Sequence, residues 1–156
     1  MADTITGGDG ADVITGGAGA DVFVQTGAIA ALAGDTLDVV LGTDLIRITG
    51  ANVGNADTTL TVTSQGAAAA AAMSELNHFT TALANDAAVV AAIQTVTSTT
   101  PTFYLVYNTA DAQAQIWYDA DSNVDGGETQ LIVLTGVSAA QNAAFVATAT
   151  NLITLV

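Results

Sequence analysis

Apolar residues recur singly and at regular intervals near the N-terminus of the chain. Ile5, Ile14 and Phe23 are nine residues apart, and each follows a stretch rich in glycine or aspartate. We interpret each interval as a six-residue turn followed by a three-residue strand. The pattern predicts that the three apolar side chains point into one core.

Two further segments alternate between apolar and polar residues, as strands with one buried face do. Residues 37–48 alternate on either side of a short turn, which predicts that Ile46 and Ile48 face inward and Arg47 outward. Residues 58–63 alternate without interruption and also predict a strand.

The alanine-rich segment 66–97 has a different period, which is typical of helices. Its larger apolar residues recur at helical spacing: Leu76, Phe79, Leu83, Val90 and Ile93. Asn85 or Asp86 would divide the segment by capping a second helix. We therefore expect a helical insertion at 66–97, closed by Pro101.

The last third of the chain returns to apolar runs of strand length. Three runs predict strands: residues 103–107, 115–118 and 130–134. The apolar segment 143–156 carries no charge and ends the sequence. At 156 residues we expect one structural unit that is mainly β. It would have two parts, residues 1–50 and residues 51–156, with the helical insertion in the second.

Charge is very unevenly distributed between the two signs. The 15 acidic residues face a single basic residue, Arg47, and the formal net charge is −14 at pH 7. Such a surface repels nucleic acid and anionic lipid, so we expect neither as a partner. All the acidic residues are Asp except Glu75 and Glu128. Asp favours turns and is a hard oxygen ligand for Ca²⁺, so a bound cation should stabilise the fold.

The remaining composition limits the chemistry further. The chain has no Cys, which excludes disulfides and thiolate metal sites, and its apolar run 67–72 is too short for membrane insertion. His78 is the only histidine, so a zinc protease site or a His-based triad is excluded. We interpret His78 as a polar helix residue and Trp117 and Tyr118 as core residues, with Arg47 as a counter-charge. We expect no catalytic residue and no organic cofactor.

Residues 7–15 and 16–24 are two copies of one nonapeptide, G-G-x-G-x-D-x-U-x, and residues 3–6 are the tail of a third. Glycines let a tight turn expose its carbonyls, and the Asp at the sixth position adds a carboxylate. A flexible glycine-rich linker is the alternative, but it would not require Asp at the sixth position and Ile or Phe at the eighth.

One such turn supplies too few oxygens for Ca²⁺, which takes about six to eight. Two stacked turns supply enough. With two nonapeptides per coil, turns eighteen residues apart lie on the same side. We therefore expect Asp3 and Asp21 on one flank and Asp12 on the other.

Residues 3–24 resemble the repeats of RTX proteins, the calcium-binding parallel β-roll of type I-secreted toxins, proteases, adhesins and surface-layer proteins. Residues 35–46 resemble the strand pair that closes such rolls in serralysin-type domains. Residues 104–121 and 134–137 resemble later strands of those domains. The resemblance implies a short β-roll of calcium-binding nonapeptides that continues into a β-sandwich-like C-terminal part.

The same resemblance implies a set of calcium ligands. Main-chain carbonyls would be supplied near Gly7, Asp9, Ala11, Gly16, Ala18 and Ala20. The carboxylates of Asp12 and Asp21 would join them, and Asp35 and Asp38 would complete the last sites.

The loop 119–128 is a second candidate calcium site. Its potential ligands are Asp119, Asp121, Asn123, Asp125 and Glu128. The first three stand at positions 1, 3 and 5 of an EF-hand-like loop, and Asp125 would offer its carbonyl. Val124 replaces the expected glycine, and Glu128 comes two positions early. A polar hairpin loop is the equal alternative.

The chain begins within a repeat, so we expect it to be the C-terminal part of a larger protein whose activity this sequence does not name. Two functions remain open. One is a non-catalytic calcium-binding module of a type I-secreted extracellular protein, which folds on calcium after export and has a secretion signal in its C-terminal tail. The other is a structural protein that self-assembles with calcium into a surface layer or matrix. The expected partners are calcium ions, the type I secretion machinery and, in the second case, further copies of the chain.

Overall fold

The computed structural model describes residues 1–48, 62–65, 76–96, 101–120, 126–145 and 153–155. Within these residues eleven strands form two sheets, and two α-helices accompany them. The mainly β class predicted from the sequence is thereby confirmed. No helix in this part of the chain has the length and apolar character needed to cross a membrane.

The first five strands are short and enter the two sheets alternately. The first sheet holds four parallel strands: β1 (Thr4–Thr6), β3 (Val22–Gln25), β5 (Leu45–Ile48) and β11 (Ile153–Leu155). The second sheet begins with the strands that lie between them in the chain: β2 (Val13–Thr15) and β4 (Asp35–Asp38). The chain therefore winds in coils that contribute one strand to each sheet.

The second sheet continues into the C-terminal half in the order β2-β4-β10-β9-β8-β7-β6. Its remaining strands are β6 (Val62–Gln65), β7 (Leu76–Phe79), β8 (Thr102–Asn108), β9 (Gln113–Asp119) and β10 (Thr129–Thr135). β8, β9 and β10 are antiparallel neighbours, whereas β4 joins β10 in parallel. The three strands predicted at 103–107, 115–118 and 130–134 are confirmed, and each is slightly longer than predicted.

The main core lies between the two sheets. Phe23, Ile46 and Ile48 are fully buried there, as the alternation predicted, and Ile14 is buried beside them. A second cluster covers the opposite face of β8 and β9, where Tyr104, Val106 and Trp117 pack against α1 (Asp86–Ile93). The second sheet is therefore covered on both faces at β8 and β9.

The prediction of a helix through Leu76 and Phe79 is wrong, because these residues form β7. All four residues of β7 are buried, with Leu76 facing the main core and Phe79 facing α1. A strand covered on both faces does not alternate, so its apolar residues match helical spacing by coincidence. Helix α1 begins only at Asp86. Its N-cap is Asn85, whose side chain accepts a hydrogen bond from the Ala88 N–H at 2.9 Å. Residues 66–75 and 97 lie outside the described part.

A short helix, α2 (Ala139–Ala144), was not predicted. Ser138 and Gln141 form a reciprocal capping box at its start, a signal that can be read in the sequence. Asn142 is buried and donates from Nδ2 to the Phe79 carbonyl at 3.0 Å, which ties α2 to β7.

Candidate metal centre

Five aspartates occupy the same position in five successive turns of the coils. Asp3, Asp12, Asp21 and Asp44 each directly precede a strand, and Asp35 is the first residue of β4. Each therefore lies where a turn ends and a paired strand begins. This placement gives every coil turn one carboxylate at its end.

Side-chain hydrogen bonds connect these aspartates from one coil to the next. On one flank, Oδ1 of Asp21 accepts from the Asp3 N–H at 2.8 Å, and Oδ1 of Asp44 accepts from the Asp21 N–H at 2.9 Å. On the other flank, Oδ1 of Asp35 accepts from the Asp12 N–H at 2.9 Å. We call these the Asp3–Asp21–Asp44 ladder and the Asp12–Asp35 ladder. The predicted division of Asp3, Asp21 and Asp12 between two flanks agrees with this geometry.

The coils differ in length, although the ladders run on without a break. Asp3 and Asp21 are 18 residues apart, as two nonapeptides require, whereas Asp12 and Asp35 are 23 apart. The extra residues lie between β3 and β4, where residues Ile29–Ala31 form a 3-10 turn. Asp21 and Asp44 are also 23 apart, so one insertion accounts for both ladders.

The second carboxylate oxygen is left without a partner at three of these positions. Oδ2 of Asp12, Asp21 and Asp35 is buried and accepts no hydrogen bond. The first glycine of each nonapeptide makes room for this oxygen, since a Cβ on Gly7 or Gly16 would lie 2.6 Å from the Oδ2 of Asp12 or Asp21. Residues at these two positions must therefore lack a side chain.

These carboxylates are costly unless something compensates their charge. Asp21 and Asp35 have exposed fractions of 1% and 0%. Burial raises the pKa of Asp35 above its usual value of 3.8; the hydrogen bond from the Asp12 N–H opposes this rise, and the nearby Asp12 charge adds to it. A buried ionised carboxylate without a counter-charge costs several kcal/mol. A cation beside the Oδ2 atoms would remove that cost, so the residues present fit Ca²⁺.

The six residues predicted to offer carbonyls lie in the two glycine-rich turns between the first three strands. Positive φ values at Gly8 (102°) and Gly17 (86°) show that these turns take the backbone form that glycine permits. The Ala18 carbonyl accepts a hydrogen bond from the N-terminal amine, which is itself a cationic group. Among the described residues, no three acidic, histidine or cysteine side chains are grouped so as to hold a metal ion.

At the end of the coil region, the ladder position is held by a residue other than Asp38, whose role as a calcium ligand stays a prediction. Asp38 is exposed at the last position of β4 and does not take part in the ladder hydrogen bonds described above. Asp44, which we did not predict as a site residue, occupies the ladder instead. The signal was present in the sequence, because Gly42-Thr43-Asp44-Leu45-Ile46 repeats the last part of the nonapeptide, from its fourth to its eighth position.

The structure describes the loop 119–128 only at its ends. Asp119 is buried at the end of β9, and Gly127 lies close enough that a Cβ there would be 3.9 Å from Asp119 Oδ1. Glu128 has a buried Oε1 without a hydrogen-bond partner. Asp121, Asn123 and Asp125 lie outside the described residues. The EF-hand-like site therefore stays a prediction.

Three other side chains from the sequence analysis have clear positions. His78 is fully buried in β7, and its ring centroid lies 5.8 Å from that of Phe145; burial lowers its pKa below 6.5. Trp117 is buried, as predicted, and donates from Nε1 to Gln115 Oε1 at 2.8 Å. Arg47 lies half-buried in β5 and its buried Nε–H donates no hydrogen bond, so its role as a counter-charge remains a prediction.

Residues 1–24 match the family model of the RTX calcium-binding nonapeptide repeat, in its four-copy form. No curated protein and no solved structure gives a significant match to the chain. The N-terminal segment is therefore an RTX repeat region, which confirms the resemblance seen in the sequence. Such repeats bind Ca²⁺, so Ca²⁺ is the cofactor of this segment.

The repeat family is generally a non-catalytic structural module, and its repeats are typical of secreted proteins. The resemblance of the later strands to serralysin-type domains stays a prediction.

Proposed function

We propose that residues 1–50 form a short parallel β-roll that folds on binding Ca²⁺, and that residues 51–156 form a β-sandwich-like part in the same structural unit. The whole is a non-catalytic module of a type I-secreted, extracellular protein. One observation carries this proposal: the Oδ2 atoms of Asp12, Asp21 and Asp35 are buried without partners, and glycines make room for two of them. That arrangement is unfavourable without a cation and favourable with one.

In this proposal the calcium concentration determines where the chain folds. Without calcium, the buried carboxylates repel one another and oppose coil formation. With calcium at the millimolar levels found outside cells, binding free energy becomes folding free energy. The chain would be exported unfolded and would fold after export.

A calcium titration of the full chain tests the proposal. Circular dichroism should show strand signal rising with micromolar to millimolar calcium, the range of extracellular modules. Asp21→Asn should weaken binding by tenfold or more, while Asp57→Asn, which makes the same charge change outside every repeat, should do little. A chain that is fully folded in excess EGTA and gains no thermal stability from calcium would overturn the proposal.

Export requires a partner, and we propose the type I secretion machinery, with the uncharged tail 143–156 as part of the signal. Deleting these residues should abolish secretion of a fused passenger while its level inside the cell stays unchanged. Undiminished secretion of the shortened fusion would refute this assignment.

Calcium-dependent self-assembly into a surface layer or matrix is the second candidate, and the edges of the sheets favour it. β1 and β2 are edge strands in the sheet orders of the described residues, and Val13 in β2 is 84% exposed. Strand edges of this kind pair readily with another chain. Analytical ultracentrifugation with millimolar calcium should then show oligomers that Asp3→Ala removes. A monomer at high protein concentration would exclude this second function.

A further inference from the structure

Asp44 differs from the other ladder aspartates in how its carboxylate is bound. Its Oδ1 accepts from the Asp21 N–H at 2.9 Å, and its Oδ2 accepts from the Val40 N–H at 2.7 Å. Asp12, Asp21 and Asp35 each leave Oδ2 without a partner. Asp44 is as deeply buried as Asp21, with exposed fractions of 2% and 1%, so the difference does not come from exposure to water.

The turn that precedes Asp44 is also held by main-chain hydrogen bonds. The Val40 carbonyl accepts from the N–H groups of Thr43 and Asp44, each at 3.0 Å. Val39 and Val40 stand where the earlier nonapeptides have their two glycines. This turn therefore lacks the two glycines, and both oxygens of its aspartate already accept main-chain hydrogen bonds.

We infer that Asp44 is a positioning residue for the calcium site at Asp21 and is not itself a calcium ligand. The inference rests on the proposed function. Because Val40 holds Oδ2, the Asp44 carboxylate cannot rotate, and its Oδ1 fixes the main-chain N–H of Asp21. Strand pairing at the same point, where the Leu45 N–H donates to the Asp21 carbonyl at 2.8 Å, holds Asp21 from its other side. In the folded coil these contacts hold the unpartnered Oδ2 of Asp21 in one direction.

Because coil formation and calcium binding are coupled, this support is expressed as affinity: less of the binding free energy is spent on ordering Asp21. Removing one anionic acceptor from Asp44 should loosen Asp21 without removing any calcium-binding oxygen. We therefore expect Asp44→Asn to bind the same number of calcium ions as the unaltered chain, with one ion bound about tenfold more weakly, or about 1.4 kcal/mol.

Isothermal titration of the full chain with calcium chloride distinguishes the two aspartates. Asp21→Asn should lose one ion from the stoichiometry, whereas Asp44→Asn should lose only affinity. Asp57→Asn serves as the charge control and should match the unaltered chain. Loss of an ion in Asp44→Asn would make Asp44 a ligand, and unchanged affinity would remove its positioning role.

Amide hydrogen exchange in saturating calcium separates positioning from general destabilisation. In Asp44→Asn, the amides of Val40 and Asp21 should exchange faster, while the Asp12 amide, which Asp35 holds, should keep its protection. A uniform increase across all ladder amides would mean that Asp44 is merely structural.

A measurement on the unaltered chain keeps the inference testable even if Asp44→Asn does not fold. During a calcium titration, the carboxyl ¹³C resonances of Asp12, Asp21 and Asp35 should shift with the bound fraction. The Asp44 resonance of the folded chain should stay outside the shift range of those three. A matching shift at Asp44 would overturn the inference, whereas an unaltered chain that binds no calcium would refute the proposed function itself.

Discussion

The coils of residues 1–48 and the antiparallel strands β8, β9 and β10 share a sheet but are stabilised in different ways. Strands in the coils are three or four residues long, whereas β8, β9 and β10 have seven residues each. The coils bury carboxylates, among them Asp21 and Asp35, while β8 buries an unbroken run in which Tyr104 and Leu105 have no exposed surface.

This difference separates two sources of stability within one unit. Hydrophobic burial stabilises the long strands, and at β8 and β9 it acts on both faces. The coil strands bury apolar side chains such as Phe23 and Ile46 on one face only, and the buried carboxylates at their turns make them dependent on a cation. The parallel pairing of β4 with β10, where Leu37 lies opposite Leu134, couples the two regions.

Removing calcium should give the largest effect and should act mainly on the coils. In excess EGTA, amides of residues 1–25 should lose nearly all protection from hydrogen exchange, because their carboxylates then repel without compensation. Amides of β8 and β9 should keep more protection, although β10 loses its ordered neighbour. Hydrogen-exchange mass spectrometry measures both regions together, and equal loss in both would contradict the comparison.

A cavity in the antiparallel region should lower stability whether or not calcium is present. Ile116 is fully buried in β9, so Ile116→Ala should cost about 2–5 kcal/mol. Chemical denaturation in saturating calcium measures this cost. Val13→Ala is the matched control, because Val13 is 84% exposed and its loss should change stability by less than about 0.5 kcal/mol. Similar costs for the two variants would show that the core is not where the structure places it.

A methyl group at Gly16 should disturb the coils alone. It would lie 2.6 Å from Asp21 Oδ2, so Gly16→Ala should weaken calcium-dependent stability by about 1–3 kcal/mol through displacement of the carboxylate. In an Asp21→Ala background the same change should cost much less, because its steric partner is gone. A double-mutant cycle of thermal melts in calcium checks this, and additive effects would mean that the contact is unimportant.

The smallest expected effect is a pH dependence in the C-terminal half. Burial lowers the pKa of His78 below its unfolded value of 6.5. The neutral imidazole therefore contributes stability that is fully present above pH 6.5 and is lost as pH falls through the folded-state pKa. The slope is at most about 1.4 kcal/mol per pH unit. Denaturation in excess calcium from pH 7.5 to 5 should show this loss, and His78→Gln should flatten it. An identical slope in both proteins would assign the pH effect to other groups.

The sequence predicts elements well where one periodicity dominates. The apolar runs of β8, β9 and β10 match strand length, and Asn85 marks the start of α1. β7 was misread because burial on both faces removes alternation from Leu76 to Phe79. α2 was not predicted because its six residues, mostly alanine, show no apolar face. The capping box of Ser138 and Gln141 is the signal in the sequence that marks its start.

The candidate site could be predicted as far as the nonapeptide period extends. Asp12 and Asp21 follow from the repeat itself, and their flanks follow from the eighteen-residue coil. Asp44 is marked only by the partial repeat at 42–46, because residues inserted before Asp35 break the period and valines replace the two glycines. Only the three-dimensional stacking shows that Asp44 continues the ladder that Asp3 and Asp21 begin.

The longer coil between Asp21 and Asp35 has a practical consequence for protein engineering. Strand pairing sets the ladder geometry on both sides of it, so the number of residues between these aspartates does not have to be constant. The longer turn between β3 and β4 is bound to β10 near its end, where the Gly34 N–H donates to the Leu131 carbonyl at 3.0 Å. Peptide cargo grafted at Ala30, an exposed residue of the 3-10 turn, would therefore be displayed on the surface while the stacked turns keep their alignment.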